Sequence, residues 1–154
     1  MADSILYICT VCDPSLTAAS PQHICVEGSA WPCRHPSRGA AERHYSVFAA
    51  TPQAVDLMHS AGIGVAGILD DVLKQVDVVV DATPKKVAAA NFEKYTSAGV
   101  KSIFQGGEKH SLTGHSFVAQ ANYETALGHA STRVVSCNTT SIVRTLGALK
   151  HAGL

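Results

Sequence analysis

The chain has 154 residues, and its twelve Lys and Arg side chains balance twelve Asp and Glu, so its formal net charge is zero. This length predicts one domain with one core, because such a domain buries roughly two-thirds of the surface of the extended chain. The balanced charge, with no run of five basic residues, does not favour nucleic acid as a partner. The apolar run near the start, ILYIC, is too short to span a membrane and follows no basic residue. We therefore expect a soluble, cytoplasmic protein with no membrane partner.

The composition changes near residue 45. Four of the five cysteines, four of the six prolines and the only tryptophan lie before residue 40, whereas the first lysine of the chain is Lys74. Before residue 45 only SILYICTV has the apolar pattern of a strand, and Pro and Ser interrupt every later candidate. We predict that residues 1–45 form an atypical, poorly ordered Cys- and Pro-rich segment and that residues 46–154 form the folded domain.

After residue 45 the pattern becomes regular. Thr51 is a suitable N-cap with Pro52 at the first helical position, and Gly62 is a natural stop for that helix. VDVVVDATP is typical of a buried parallel strand that ends in a turn at Pro84. The other predicted elements are a brief strand at 65–68, a helical turn at 70–75, a helix at 86–98, a strand in VKSIFQGG, a helix in ANYETALG, a strand in RVVSC, and a helix at 139–151 with Ile142, Val143, Leu146 and Leu149 on one face.

Strands that alternate with helices indicate an α/β fold with a mostly parallel sheet. Ligands of such sheets gather beyond the carboxyl ends of the strands. Two glycines, Gly106 and Gly107, let the backbone approach a ligand closely, or serve only a turn that needs positive φ. The strand ends that this rule selects are Ala82-Thr83-Pro84, Gln105-Gly106-Gly107 and Ser136-Cys137-Asn138.

Gly62, Gly64 and Gly67 match the pattern G-x-G-x-x-G. A dinucleotide-binding fingerprint needs a strand before the glycines and a helix that begins at them. Here the predicted helix precedes the glycines and the short strand follows them. We therefore interpret this motif as a turn between a helix and a strand.

Cys137, in RVVSCNTTSIVRTLGALK, is the nucleophile candidate. A strand that leads directly into a helix places this sulfur beside unpaired backbone N–H groups, and the helix dipole favours a thiolate there. The same N–H groups, together with Asn138, are suited to stabilise the oxyanion that forms when a carbonyl is attacked. The alternative is that Cys137 is only a small buried hydrophobic residue.

The segments VVDATP, IFQGGEKH, SFVAQANYETALG and RVVSCNTTSIVRTL, in this order and spacing, resemble the archaeal-type (type II) glyceraldehyde-3-phosphate dehydrogenases over about residues 45–154. The resemblance implies an incomplete Rossmann-like parallel sheet with flanking helices, in a partial NAD(P)-binding domain that ends just after the helix of the catalytic cysteine. It implies that Cys137 is the nucleophile, that Ser136, Asn138 and Thr139 bind the substrate, and that Thr83, Pro84, Gly106 and Gly107 border NAD or NADP.

The implied reaction is the oxidation of glyceraldehyde 3-phosphate in glycolysis and gluconeogenesis. The Cys137 thiolate attacks the aldehyde, a hydride passes to NAD(P)+, and phosphate releases the thioester as 1,3-bisphosphoglycerate. In this family a His of the second domain transfers the proton; His151 does not stand at its position, so we assign no general base. The resemblance further implies a homotetramer for the full-length protein, and we expect residues 1–154 alone to be weakly active or inactive.

Residues 1–45 depart from the family, whose members open with a glycine-rich loop that cradles the cofactor pyrophosphate at a helix N-terminus. Our preferred hypothesis is that this segment is sequence from another reading frame or an alternative start, joined to the family sequence near Tyr45. A zinc site is the alternative, although Cys25 and Cys33 are too far apart for a zinc knuckle, and disulfides are less favoured still. The candidate zinc ligands are Cys9, Cys12, His23, Cys25, Cys33 and His35.

Two classes of function therefore remain open. The first is the nucleotide-domain portion of a dehydrogenase. The second is a non-catalytic remnant, or a module that binds a metal or a partner on a dehydrogenase scaffold. A cysteine hydrolase is a weaker third possibility, because the sequence shows no His that is positioned as a partner of Cys137.

Overall fold

The computed structural model describes residues 46–60, 62–83, 87–105 and 107–153, together with the backbone of 5–8 and 23–27. Over these ranges the chain alternates short strands with helices. The strands are β1 (Ile5–Ile8), β2 (His23–Glu27), β3 (Val47–Ala49), β4 (Gly67–Ile68), β5 (Val78–Asp81), β6 (Lys101–Phe104), β7 (Ser116–Phe117) and β8 (Ser131–Val134). The helices are α1 (Pro52–Ser60), α2 (Leu69–Val72), α3 (Val87–Ser97), α4 (His110–Thr113), α5 (Ala119–Ala126) and α6 (Cys137–His151).

These strands form one parallel sheet in the order β4-β3-β2-β1-β5-β6-β8-β7. The chain moves outward from β1 through β2 and β3 to β4, and then returns to the other side of β1 with β5. The strand order therefore reverses between β1 and β5, which is the point where open α/β sheets bind ligands. The fold is α/β, a Rossmann-like parallel sheet flanked by helices, as the sequence predicts.

The core lies mainly between α3 and the strands β5 and β6. Tyr95 from α3 and Phe104 from β6 are both fully buried, and their ring centroids lie 6.1 Å apart. Phe92 packs edge-on against Phe104, with a centroid distance of 5.6 Å, an arrangement that aromatic pairs prefer. A second apolar cluster joins β3 to α1 through Val47, Ala49, Ala54 and Met58. The central strands are thus held from the helix side by aromatic packing.

The predicted signals of α1 act as expected. Thr51 caps the helix, because its Oγ1 accepts a hydrogen bond from Ala54 N at 3.3 Å. Gly62 ends it with a φ of 77°, and its N–H donates to His59 O at 2.9 Å. The glycine motif that begins at Gly62 follows α1 and precedes β4, so its context is that of a turn between a helix and a strand.

Several boundaries differ from the sequence prediction. β8 lies at Ser131–Val134, two residues before the start of the predicted RVVSC strand, and α6 begins at Cys137 rather than at Thr139. The helix starts earlier because Ser136 is its N-cap. The prediction also missed β2, β3, α4 and β7, which are two to five residues long and too short to show a period.

The predicted apolar face of α6 is largely exposed. Ile142 and Leu146 are each 60% exposed and Leu149 is 41% exposed, while Val143 is half-buried. The four residues share one side of the helix, as their spacing predicts. None of the helices in the described ranges is long and apolar enough to cross a lipid bilayer.

Two strands of the sheet come from the segment 1–45. β1 lies between β2 and β5, with Ile5 opposite Val78. Apart from β1 and β2, the segment lies outside the described residues. The prediction that it is poorly ordered therefore stays a prediction. The same holds for its proposed zinc ligands, whose side chains lie outside the described part of the chain.

Candidate active site

The three predicted strand ends lie at one edge of the sheet. β5, β6 and β8 are consecutive parallel neighbours, so the residues after their carboxyl ends face the same side. Gln105 N, just after β6, donates to Asp81 O at the end of β5 at 2.7 Å. This bond joins the first two strand ends directly. Pro84 and Gly106, which belong to the predicted set, lie outside the described residues.

Asp81 is a fully buried carboxylate at the end of β5. Its Oδ1 accepts hydrogen bonds from Thr83 N at 2.8 Å and from Thr83 Oγ1 at 2.5 Å. Its Oδ2 accepts from Tyr95 OH at 2.7 Å and from Asn91 Nδ2 at 3.3 Å. Four donors thus surround a group that is costly to bury unless it is hydrogen-bonded. They hold Thr83 and α3 to the end of β5.

Tyr95, one of the two donors to Asp81 that lie on α3, is a phenol that stays protonated. Burial raises the pKa of Tyr95 far above its ordinary value, and the charge of Asp81 and the hydrogen bond to it raise it further. Asn91 and Tyr95 stand four residues apart on one helix face, so both reach the same carboxylate. The sequence analysis did not select Asp81, although an acidic residue at the end of an apolar strand is a signal for it.

The two described cofactor candidates differ in their surroundings. Thr83 is buried, and both its N–H and its hydroxyl donate to Asp81. Gly107 is exposed and has a φ of 83°, which satisfies the turn interpretation. Apart from its two chain neighbours, no described residue has an atom within 4 Å of the position where a Cβ would stand on Gly107. None of those residues therefore covers this side of its backbone.

Cys137 is exposed and is the first residue of α6. The sulfur is therefore not a buried hydrophobic group, which excludes the alternative considered from the sequence. Among the described residues, its polar contact is Asn138 Oδ1, 3.9 Å from Sγ. A thiolate would accept from Asn138 Nδ2 instead if the amide turned over, because the two amide atoms are nearly equal in shape.

The residues around Cys137 form the first turn of the helix. Ser136 Oγ accepts from Thr139 N at 3.3 Å and lies 3.0 Å from Thr139 Oγ1. Thr140 N donates to Ser136 O at 2.8 Å. In the described part of the chain, the N–H groups of Cys137 and Asn138 have no such acceptor. They are available to a negatively charged oxygen next to the sulfur.

No imidazole contacts Cys137 within the described ranges. His115, between α4 and β7, is buried, and its ring stacks on that of His129 with a centroid distance of 4.3 Å. Its Nδ1 lies 2.6 Å from Thr132 Oγ1, and its Nε2 lies 3.3 Å from Thr125 Oγ1. Thr125 Oγ1 donates its proton to a backbone carbonyl, so it accepts from Nε2–H. In the neutral ring, Nδ1 then accepts from Thr132 Oγ1. His115 is therefore a structural histidine.

We predict that acidification destabilises the protein through His115. Burial lowers the pKa of His115, and the neighbouring His129 and His110 lower it further. The unfolded chain then binds the proton more readily, so this contribution to stability is full above about pH 6.5 and falls as the pH drops towards the folded-state pKa. Urea unfolding between about pH 7.5 and pH 5 should show a slope of at most about 1.4 kcal/mol per pH unit from this group.

The test variant is His115→Gln. The matched control is His59→Gln, because His59 is exposed on α1. The first substitution should reduce the slope of stability against pH, and the second should leave it unchanged. An equal slope in His115→Gln and in the unaltered chain would show that His115 does not cause the acid sensitivity.

The sequence analysis missed two residues, Glu108 in the loop after β6 and Arg133 on β8. Glu108 is only 6% exposed, and its Oε1 has no hydrogen-bond partner in the described part of the chain. Arg133, on β8, donates from Nη1 to Glu108 O at 2.7 Å and from Nε to Ser116 Oγ at 2.8 Å. The sequence around Glu108 gave no signal of its burial, because that burial depends on how the loop after β6 packs beside β8.

Comparison with known proteins identifies relatives that are named glyceraldehyde-3-phosphate dehydrogenase. No family model matches the chain. The chain is 55% identical over 112 residues to a glyceraldehyde-3-phosphate dehydrogenase of Thermococcus kodakarensis, covering 73% of this chain and 34% of the relative. The proteins of the same name from Pyrococcus abyssi and Methanothermobacter thermautotrophicus are 53% and 49% identical, over 112 and 110 residues. The chain spans about one third of the length of the curated relatives that it matches.

Proposed function

We propose that this chain, which is homologous over 112 residues to about one third of a glyceraldehyde-3-phosphate dehydrogenase, carries the nucleophilic cysteine and part of the dinucleotide-binding sheet of such an enzyme. The observation that supports this most is the exposed position of Cys137 at the first turn of α6. A nucleophile needs access to its substrate and a nearby group that stabilises the charge it creates. Both requirements are met at this helix end.

In the proposed reaction, Cys137 Sγ forms a bond to the aldehyde carbon of glyceraldehyde 3-phosphate, and the electron pair of the C=O bond moves to the oxygen. The N–H groups of Cys137 and Asn138 stabilise that oxygen. Ser136 and Thr139 hold the helix turn in shape through their mutual hydrogen bonds and contact the substrate. The proton acceptor for later steps is not assigned to any residue of this chain.

The cofactor of the proposed reaction is NAD or NADP, which accepts the hydride that leaves the carbon. The residues present fit such a ligand, because Gly107 is exposed and follows β6, the neighbour of β5, and the strand order reverses on the other side of β5. We propose Thr83, Pro84, Gly106 and Gly107 as the residues that border it. We further propose a cytoplasmic location, phosphate as the second substrate, and a homotetramer for the full-length enzyme.

The reactivity of Cys137 tests this proposal on the chain as it stands. We predict that glyceraldehyde 3-phosphate slows the modification of Cys137 by iodoacetamide severalfold near neutral pH. The expectation follows because Cys137 is exposed and a bound aldehyde occupies its sulfur. Peptide mass spectrometry distinguishes Cys137 from the other four cysteines.

Glycerol 3-phosphate is the matched control ligand, since it carries the phosphate but lacks the aldehyde. It should protect Cys137 far less than the aldehyde does. Equal rates with and without glyceraldehyde 3-phosphate, at concentrations up to saturation, would contradict the assignment of Cys137 as the nucleophile for this substrate.

A further inference from the structure

The loop between β6 and α4, of which Gln105 and residues 107–109 are described, lies beside the proposed cofactor site. One end is tied to the sheet by Gln105 N, which donates to Asp81 O at 2.7 Å. The middle of the loop contains Gly107, which is exposed and adopts a positive φ. A glycine in this conformation loses more conformational freedom on folding than any other residue. The loop therefore needs a second point of attachment if its backbone is to keep one position.

Arg133 supplies that second point from the neighbouring strand. It stands opposite Phe104 in the register of β6 and β8. Its Nη1 donates to Glu108 O at 2.7 Å, one residue beyond Gly107, and its Nε donates to Ser116 Oγ at 2.8 Å. Ser116 stands opposite Arg133 on β7. Because the guanidinium is planar, these two bonds fix both its position and its orientation.

The hydroxyl of Ser116 forms the other side of this attachment. Ser116 Oγ accepts from Arg133 Nε and shares a hydrogen bond with His110 Nδ1, 2.9 Å away. His110 is the first residue of α4. The chain of bonds from Glu108 O through Arg133 and Ser116 to His110 thus connects the loop to the helix that follows it.

The charge of Arg133 is not used for an ion pair in the described part of the chain, where the ion pair formed is Lys74 with Asp71. Both hydrogen bonds of Arg133 described here go to uncharged oxygens, and such charge-assisted bonds are roughly twice as strong as neutral ones. The side chain of Glu108 is nevertheless buried with one unpartnered oxygen, which opposes this loop position. Arg133 offsets that cost through the carbonyl of the same residue.

We propose that Arg133 is a positioning residue that holds the Gly107 backbone in the conformation that receives the dinucleotide. This inference rests on the proposed function, which places the dinucleotide against Gly107. It assigns to Arg133 no contact with the cofactor or with the substrate. It acts on the loop through its bonds to Glu108 O and Ser116 Oγ, by removing the freedom of the glycine loop before the ligand binds.

The test compares Arg133→Met with Arg144→Met, because Arg144 is exposed on α6 and undergoes the same chemical change. NAD+ and NADP+ are titrated into the labelled chain, and the amide shifts of residues 105–109 are followed by NMR. Arg133→Met should weaken binding by about tenfold, because the charge-assisted bond that orders the loop before the ligand binds is lost. Arg144→Met should bind like the unaltered chain.

Two further readouts separate positioning from general damage. Amide exchange at Gly107 and Glu108 should become faster in Arg133→Met, whereas the alkylation rate of Cys137 should not change. Arg133→Lys keeps the charge but offers a single point of donation, so it should weaken binding by an intermediate amount, about threefold. If Arg133→Met does not fold, Arg133→Lys carries the same comparison.

If the unaltered chain binds dinucleotide and Arg133→Met binds it with the same affinity, this inference is overturned and the proposed function stands. Where Arg133→Met does not fold, the same holds for Arg133→Lys. A parallel loss of Cys137 reactivity and of binding would show a merely structural role and also overturn it. Absence of binding by the unaltered chain would overturn the assignment of the dinucleotide to Gly107 and this inference together.

Discussion

Replacing Asp81 with Ala is expected to lower the free energy of unfolding by about 3–5 kcal/mol, because several donors lose their acceptor and each unsatisfied buried donor costs about 1–3 kcal/mol. The substitution removes the acceptor of four donors, of which those of Thr83 and Tyr95 are buried and that of Asn91 is half-buried. Each buried donor carries its full desolvation cost once its partner is gone. For a domain of this size the loss approaches the whole stability. Urea unfolding followed by circular dichroism measures it.

The matched control for this variant is Asp56→Ala, because Asp56 is an exposed carboxylate on α1. Its removal should change stability by no more than about 0.5 kcal/mol. One hydrogen bond contributes about 1 kcal/mol net. If the free energy of unfolding of Asp81→Ala lies within about 1 kcal/mol of that of the unaltered chain, the description of Asp81 as a shared acceptor of four hydrogen bonds is contradicted.

Residues 1–154 on their own are expected not to reduce NAD(P)+ at a measurable rate with glyceraldehyde 3-phosphate and phosphate. In the described part of the chain, no imidazole contacts Cys137, and its polar contact is Asn138. Catalytic groups that act as a unit fail together, and their loss lowers the rate by roughly 10⁴-fold or more. Attack by Cys137 is therefore expected without efficient turnover. The assay follows the absorbance of the reduced cofactor.

Turnover by the 154 residues that disappears in Cys137→Ala would show that the chain contains a proton-transfer group not recognised here. Turnover that persists in Cys137→Ala would instead show that the activity does not come from this site. Either result would be visible in the same assay with equal protein concentrations.

The order and type of the main elements could be predicted from the sequence because each has a local signal. β5 is an apolar run, VVV, that ends in Asp81, and α1 has a cap at Thr51 and a stop at Gly62. Periodicity and capping are properties of neighbouring residues, so they are legible without the fold. The resemblance to dehydrogenases likewise depends on contiguous segments.

The hydrogen-bond network around Asp81 could not be predicted in the same way. Its acceptor lies at the end of a strand and two of its donors lie on α3, ten and fourteen residues later. The link from Arg133 to Glu108 spans 25 residues and depends on β6 and β8 being neighbours. Such contacts arise from the topology of the sheet, and no local pattern encodes them.

The start of α6 was predicted two residues too late, although the N-cap rule locates it correctly. The sequence analysis began the helix at Thr139, although Ser136 is a preferred N-cap residue and places Cys137 at the first helical position. The exposure of the apolar face of α6 could not be predicted from the sequence. The apolar spacing predicted that Ile142 and Leu146 share one side of the helix, but spacing alone does not show whether that side is covered.

A chimera tests most directly whether Cys137 is the nucleophile of a glyceraldehyde-3-phosphate dehydrogenase. In it, the residues of this chain that match the Thermococcus kodakarensis enzyme over 112 positions replace their counterparts in that enzyme. NAD(P)+ reduction is measured for the chimera, its Cys137→Ala variant and the control Ser141→Ala, an exposed position one turn further along α6. We predict activity in the chimera and in Ser141→Ala, and a loss of roughly 10⁴-fold or more in Cys137→Ala. A folded chimera that is inactive, or one whose Cys137→Ala variant keeps its activity, would contradict this assignment.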